Sequence, residues 1–237
     1  MPAGPLYLLP VALGESQPEA VLPEDVRRIA ASLRYFIAEK AKSARAELRR
    51  IGVAGPLRDL VIRELPREPG REDLAALLAP LLAGEAGGLM SEAGVPAVAD
   101  PGARLVQAAH ELGIRVVPLV GPSSLLLALM ASGLDGQRFA FHGYLPVEAA
   151  QRKQRIGELE RESLREGRTQ IFIETPYRNM VLFAALLETC RPGTRLCVAT
   201  ELTTPQERIA SRRIDAWRKL PAPALDRRPT VFLMLAG

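Results

Sequence analysis

A chain of 237 residues with 48% apolar and 24% charged side chains can bury one large core or two ordinary ones, which excludes a disordered or fibrous protein. No apolar run approaches the roughly 20 residues that span a bilayer. Met1 to Pro10 has no basic segment leading a long apolar core, so a cytoplasmic location is expected.

The net charge of +4 and pI near 9.4 arise from short clusters: Arg49-Arg50, Arg152-Lys153, Arg212-Arg213 and Arg227-Arg228. They read either as a surface for nucleic acid or as solvated faces. Aromatic residues, at 5%, offer no base-stacking platform. Cys190 and Cys197 stand apart from His110 and His142 at no metal-ligand spacing, so both read as small core residues and no metal is expected.

Along the first half, strands are expected at Leu6 to Leu9, Tyr35 to Ala38, Val61 to Leu65, Gly88 to Met90 and Ile114 to Pro118. Helices separate them: Leu22 to Leu33, Lys40 to Ile51, Arg71 to Ala83 with a kink at Pro80, and one opening at Asp100-Pro101 and closing at Gly113. There Asp100 reads as the N-cap and Pro101 as the first helical residue. Strands alternating with helices of this length make βαβ units and a parallel sheet.

After Gly121-Pro122-Ser123 opens another helix, the pattern changes. Strands at Phe139 to Tyr144, Thr169 to Glu174, Arg195 to Thr200, Glu207 to Ser211 and Thr230 to Leu235 include neighbours with no long helix between them. Helices are expected at Ala149 to Gly167, Tyr177 to Thr189 and Asp215 to Leu220. A mixed sheet follows. The expectation is therefore two α/β domains, residues 1–119 and 120–237, the first with a mostly parallel sheet and the second with a mixed one.

Several enzyme signatures are missing. No G-x-G-x-x-G follows a strand, and there is no phosphate-binding G-x-x-x-x-G-K-[ST], no G-x-S-x-G and no H-E-x-x-H. What stands out instead is SEAGVPAVADPG, Ser91 to Gly102, followed by VVPLVGPSSLLLALMASGL, Val116 to Leu134. Each is a Gly/Pro loop after a short strand, placed at the carboxyl edge where open α/β sheets bind ligands.

These two stretches, with RFAFHGYLP (Arg138 to Pro146), IETPYR (Ile173 to Arg178) and TELTTPQE (Thr200 to Glu207), resemble in order and spacing the tetrapyrrole methylase superfamily. Within it they are most similar to the branch that methylates a cytidine 2′-hydroxyl of small-subunit ribosomal RNA. The resemblance implies two α/β domains with S-adenosylmethionine in the cleft between them, a homodimer, and an acceptor in ribosomal RNA. Carried over by position, the cofactor-binding residues would be Leu9, Pro10, Ser91, Glu92, Ala93, Gly94, Val95, Pro96, Val98, Ser123 and Ser124.

Departures fall elsewhere. The branch begins P-T-P-I-G-N where this chain has Leu9-Pro10-Val11-Ala12-Leu13-Gly14-Glu15, and its A-E-D-T-R is Ala38-Glu39-Lys40-Ala41-Lys42 here. Tyr177 replaces a His, and Thr200 and Thr204 replace an Arg and a Lys. Because Lys and Arg supply much of any affinity for RNA, the acceptor stays open. It is a ribosomal RNA ribose or another group such as a tetrapyrrole; a third reading is a module that binds the cofactor without catalysis.

Methyl transfer needs positioning and exclusion of water more than a nucleophilic triad. A hydroxyl acceptor still needs a base, for which Glu39, Glu174 and Glu201 at strand ends are the candidates, each also readable as an ion-pair partner. Arg178 is the candidate for holding an anionic substrate. Asp100 reads as cap before ligand.

Overall fold

The computed structural model describes residues 2–53 and 56–237. The chain divides into two compact units, Met1–Ser123 and Ser124–Gly237.

The first unit holds five parallel strands: β1 (Leu6–Leu9), β2 (Tyr35–Ala38), β3 (Val61–Glu64), β4 (Gly87–Met90) and β5 (Val116–Pro118), in the order β3-β2-β4-β1-β5. Strict alternation sends their side chains to two cores. On one face Leu9, Phe36, Ala38 and Met90 pack with α2 (Glu24–Ser32) and α3 (Ala41–Ile51). On the other, Leu6, Tyr35, Ile37 and Leu89 pack with α4 (Arg71–Leu82) and α5 (Ala103–Glu111). The short α1 (Pro18–Val21) precedes α2.

The connections leaving β1 and β4, which are neighbours, thus run to opposite faces, an arrangement that leaves a crevice at the carboxyl edge of an open sheet. Helix ends follow the sequence signals. Gly52 (φ +85°) and Gly113 (φ +70°) take the left-handed conformation that stops α3 and α5, and Asp73 accepts from the Gly70 amide at 2.8 Å to start α4. Pro80 sits in the last turn of α4, and helical bonding continues past it, from the Ala83 amide to the Ala79 carbonyl at 3.1 Å.

One expectation is corrected. Asp100-Pro101 does not open α5: the N-cap residue is Gly102, at φ +135°, and no side chain caps the helix. A backbone conformation closed to other residues sets that start, which frees the Asp100 side chain to turn elsewhere.

The second unit holds α6 (Ser124–Ser132), β6 (Phe139–Tyr144), α7 (Ala149–Glu166), β7 (Thr169–Ile173), α8 (Asn179–Thr189), β8 (Arg195–Thr200), β9 (Arg208–Arg213), α9 (Ile214–Trp217) and β10 (Thr230–Leu235). The sheet order is β6-β7-β10-β8-β9, with only β6 and β7 parallel. Its core centres on Phe172 and Phe232, whose rings stack at 6.1 Å, and on Phe183 set edge-on to Trp217 at 5.4 Å. Cys190 and Cys197 are buried, unpaired thiols pushed up to about 12 by burial, so both stay neutral packing groups.

Truncating Phe232 to Ala removes a fully buried ring and should cost about 3–5 kcal/mol. Urea unfolding checks this; a loss below 1 kcal/mol would show that the second unit's core does not depend on the stacked pair.

Candidate active site

Three segments converge at the carboxyl edge of the first unit. The chain after β1 meets the loop after β4 in a two-hydrogen-bond bridge: the Val11 amide donates to the Gly94 carbonyl at 2.9 Å, and the Gly94 amide to the Val11 carbonyl at 3.2 Å. Gly94 has φ +72°, and a Cβ there would lie 3.0 Å from Leu13 Cδ2 and 3.3 Å from the Pro122 carbonyl oxygen. The third segment, after β5, is equally close, since a Cβ on Gly121 would fall 2.3 Å from Cβ and Cγ of Pro10. Side-chain-free backbone is therefore what lets the three approach.

The loop between β4 and α5 is held in strained conformations. Ala97 (φ +65°) and Ala99 (φ +66°) join Gly94 and Gly102 in the left-handed half of conformational space. Each non-glycine residue so placed costs on the order of 1–2 kcal/mol, and such residues cluster at binding sites.

Carboxyl groups flank this edge. Asp100 is half-buried and pushed up to about 6, first by burial, then by the charge of Glu39, against a hydrogen bond from Ser91. Glu39, at the end of β2, is likewise raised, with burial the main cause. One of its carboxylate oxygens accepts the Glu92 amide at 3.3 Å. The Glu92 carboxylate in turn takes Lys40 Nζ at 3.1 Å and the Ser43 hydroxyl at 3.2 Å.

Of the residues singled out by sequence, Leu9, Pro10, Ser91, Glu92, Ala93, Gly94, Val95 and Pro96 lie along these converging segments, and Ser123 ends the third. Leu9 and Pro10 are buried, whereas Val98 stands 48% exposed beyond the bridge. Ser124 is the first residue of α6, in the second unit.

The three candidate bases fare differently. Glu174 is buried, and a single oxygen accepts Arg178 Nη2 at 2.7 Å, Arg178 Nε at 3.1 Å, and the amide and hydroxyl of Thr175. Glu201 is paired with Arg228 at 3.2 Å. Glu39 makes no ion pair among the described residues. The Arg178 guanidinium, held by Glu174, lies 5.5 Å from the centre of the exposed Tyr177 ring.

Sequence reasoning passed over Asp100 as a site group and Gly121 as a close-approach glycine. The Gly-Pro dipeptide pointed to a tight turn at Gly121, but nothing local pointed to Pro10 as its neighbour. Among the described residues no helix is long and apolar enough to cross a membrane, and no group of three or more His, Cys, Asp or Glu is placed to hold a metal ion.

The profile of the Tetrapyrrole (Corrin/Porphyrin) Methylases matches residues 12–216. The chain is 33% identical over 211 residues to the Ribosomal RNA small subunit methyltransferase I of Pseudomonas aeruginosa, covering 89% of this chain and 71% of that protein. It is 30% identical to the protein of the same name from Escherichia coli O157:H7, covering 91% and 72%. With that of Xylella fastidiosa it shares 36% identity, covering 70% of this chain and 55% of the relative. In fold it is similar to the crystal structure of the methyltransferase CobJ, with TM-score 0.66 at 18% identity over 99% of this chain and 95% of that one. With a profile spanning both units and relatives aligned across most of its length, this chain belongs to the tetrapyrrole methylase family.

Proposed function

We propose that this family member transfers the methyl group of S-adenosylmethionine to a ribose 2′-hydroxyl of ribosomal RNA. The observation that carries the reading is the convergence of three side-chain-poor segments beside a set of carboxyl groups, at the edge where parallel sheets bind ligands. The names of the relatives supply the acceptor class.

The residues present fit that cofactor. Its sulfonium and ammonium charges suit an edge bearing Glu39, Glu92 and Asp100, and the Cβ-free turns at Gly94 and Gly121 leave backbone to be lined by a flat nucleoside. Leu9, Pro10, Ser91 to Pro96, Val98, Ser123 and Ser124 would hold it. Bound there, it supplies a methyl group already attached to an excellent leaving group.

The chain's own work is then orientation, exclusion of water and proton removal. Glu174 and Glu201 are committed to Arg178 and Arg228, so Glu39 is the carboxylate left to take the proton from the attacking hydroxyl. Burial raises the Glu39 pKa, which suits a carboxylate that is to accept a proton. Arg178, steadied by Glu174, is the group that holds an acceptor phosphate.

A cytoplasmic homodimer completes the proposal. Leu126 and Met130, one turn apart on α6, are 52% and 80% exposed, an apolar stripe suited to a second copy.

Labelled methyl groups from S-adenosylmethionine should enter small-subunit RNA, on ribose, when the protein is given subunits lacking the modification. Label appearing only in a tetrapyrrole, or nowhere, would overturn the acceptor. Gly94→Val should lower cofactor affinity by at least about tenfold, or 1.4 kcal/mol, in calorimetry while the circular dichroism spectrum is kept; unchanged affinity would place the cofactor elsewhere.

Asp100 gives a pH test. A carboxyl that folding lifts from roughly 3.9 to about 6 binds its proton more tightly in the folded state. Stability therefore falls as pH rises through that window and stays lower above it. Asp100→Asn should gain about 1–2 kcal/mol at pH 7.5, discounting for partial exposure, and no more than about 0.5 kcal/mol at pH 4. An equal gain at both would mean that charge is not the cause.

A further inference from the structure

The Arg212-Arg213 cluster has no part in the cofactor edge, and its surroundings are those of a ligand site. β9 is the outermost strand of the second unit's sheet. Arg208, Ala210 and Arg212, alternate residues of that strand, border a hollow of about 250 Å³. Its buried walls include Val198 and Trp217, its outer wall is the Pro-rich segment around Pro223 and Ala224, and the exposed Arg208 and Arg212 stand at its mouth. The Arg212 guanidinium lies 5.4 Å from the centre of the Trp217 ring. A second, more open hollow continues from Arg212 and Leu220 to Arg213 and Lys219.

The charges here are poorly balanced. Among the described residues Arg208, Arg212 and Lys219 make no ion pair, and Arg213 has only Asp215 at 3.6 Å. Arg195 stands directly opposite Arg213 in the β8–β9 ladder. Like charges in register on neighbouring strands destabilise a sheet, so this edge keeps a repulsion that a bound polyanion would relieve. The hollow narrows the choice of polyanion. It is concave, apolar-walled and roofed by a guanidinium over an indole, which suits one flat unstacked ring; a lipid headgroup layer presents no such ring.

We propose that β9 and the turn after α9 form a track for single-stranded RNA. One unstacked base enters the hollow beside Trp217, and the flanking phosphates are held by Arg208, Arg212 and Lys219. The proposal rests on the RNA-methylation reading for its biological sense, and its test is separate.

Trp217 is the one tryptophan in the chain, so its emission reports the hollow directly. Titration with a short single-stranded oligoadenylate should shift or quench that emission, and inorganic phosphate at matched ionic strength should not. The triple variant Arg208→Gln, Arg212→Gln, Lys219→Gln should bind the oligomer at least about tenfold more weakly, and the slope of log affinity against log salt should fall by about two, as three lost phosphate contacts require. Ala224→Phe, which crowds the hollow from a loop and leaves every charge in place, should weaken oligoadenylate binding while leaving heparin binding intact.

Thermal melting and cofactor binding verify that the variants fold. The proposal fails if the protein does not bind the oligomer, if Trp217 emission is unmoved, if the variants bind as the parent does, or if phosphatidylglycerol vesicles displace the RNA. Pocket-dependent RNA binding without methyl transfer would defeat the acceptor reading alone. Methyl transfer with an unchanged KM for RNA in the triple variant would defeat the track alone.

Discussion

The bridge between Val11 and Gly94 is the constraint on which the candidate site depends. β1 and β4 lie side by side in parallel register, Leu9 opposite Met90, so their chains leave the sheet together. Two residues past β1 and four past β4 the two segments bond again, now antiparallel. Two backbone hydrogen bonds contribute only about 1–3 kcal/mol net. Their importance is geometric: they fold the loop after β4 back over the end of β1, and a side chain at Gly94 would strike Leu13 and Pro122 instead. Gly121 must be bare to sit on Pro10, where a Cβ would lie 2.3 Å from the ring, so a side chain there would force those two segments apart.

That edge is less stable than it need be, and the deficit is concentrated. Ala97 and Ala99 are held in left-handed conformations, and Asp100 carries a carboxyl whose ionised form is disfavoured by burial and by Glu39. None of this helps folding. It is tolerated because both faces of the sheet carry dense apolar cores, with Phe36, Leu78 and Leu81 fully buried. Strain and unfavourable charge gathered in one loop of an otherwise regular unit are what a pre-organised binding edge looks like.

The sequence was informative where structure is local and less so where it is not. The strands at Tyr35–Ala38, Arg195–Thr200 and Thr230–Leu235 have the bounds their apolar runs suggest, because a strand buried on both faces is a continuous apolar word. The start of α5 was misread for a long-range reason: Asp-Pro has the chemistry of a helix start, but Ser91 and the desolvated edge claim Asp100, and Gly102 supplies the turn. Ala97 and Ala99 give no turn signal at all. The long helix α7 reads as charged and solvated, yet Arg152 and Glu160 are buried in it, donating to the Val147 carbonyl at 2.7 Å and accepting the Arg191 amide at 2.7 Å respectively. The i,i+4 spacing of Glu174 and Arg178 was visible; the pairing of Glu201 with Arg228, 27 residues away, was not.

The net charge of +4 says less than the way charge is shared out. The first unit gathers Glu39, Glu92 and Asp100 at one edge, where among the described residues Lys40 is the one cation in an ion pair with them. In the second, Arg208, Arg212 and Lys219, along another edge, make no ion pair among the described residues. An acidic edge attracts a sulfonium and repels a phosphate backbone; a basic strand does the reverse. Over a Debye length of about 8 Å at physiological salt, such patches act on what touches them and little beyond. Charges of opposite sign can then favour a cationic ligand at one edge and an anionic one at the other within one small protein. Sign separates the two classes of ligand, and the hollow beside Trp217 adds shape to that choice.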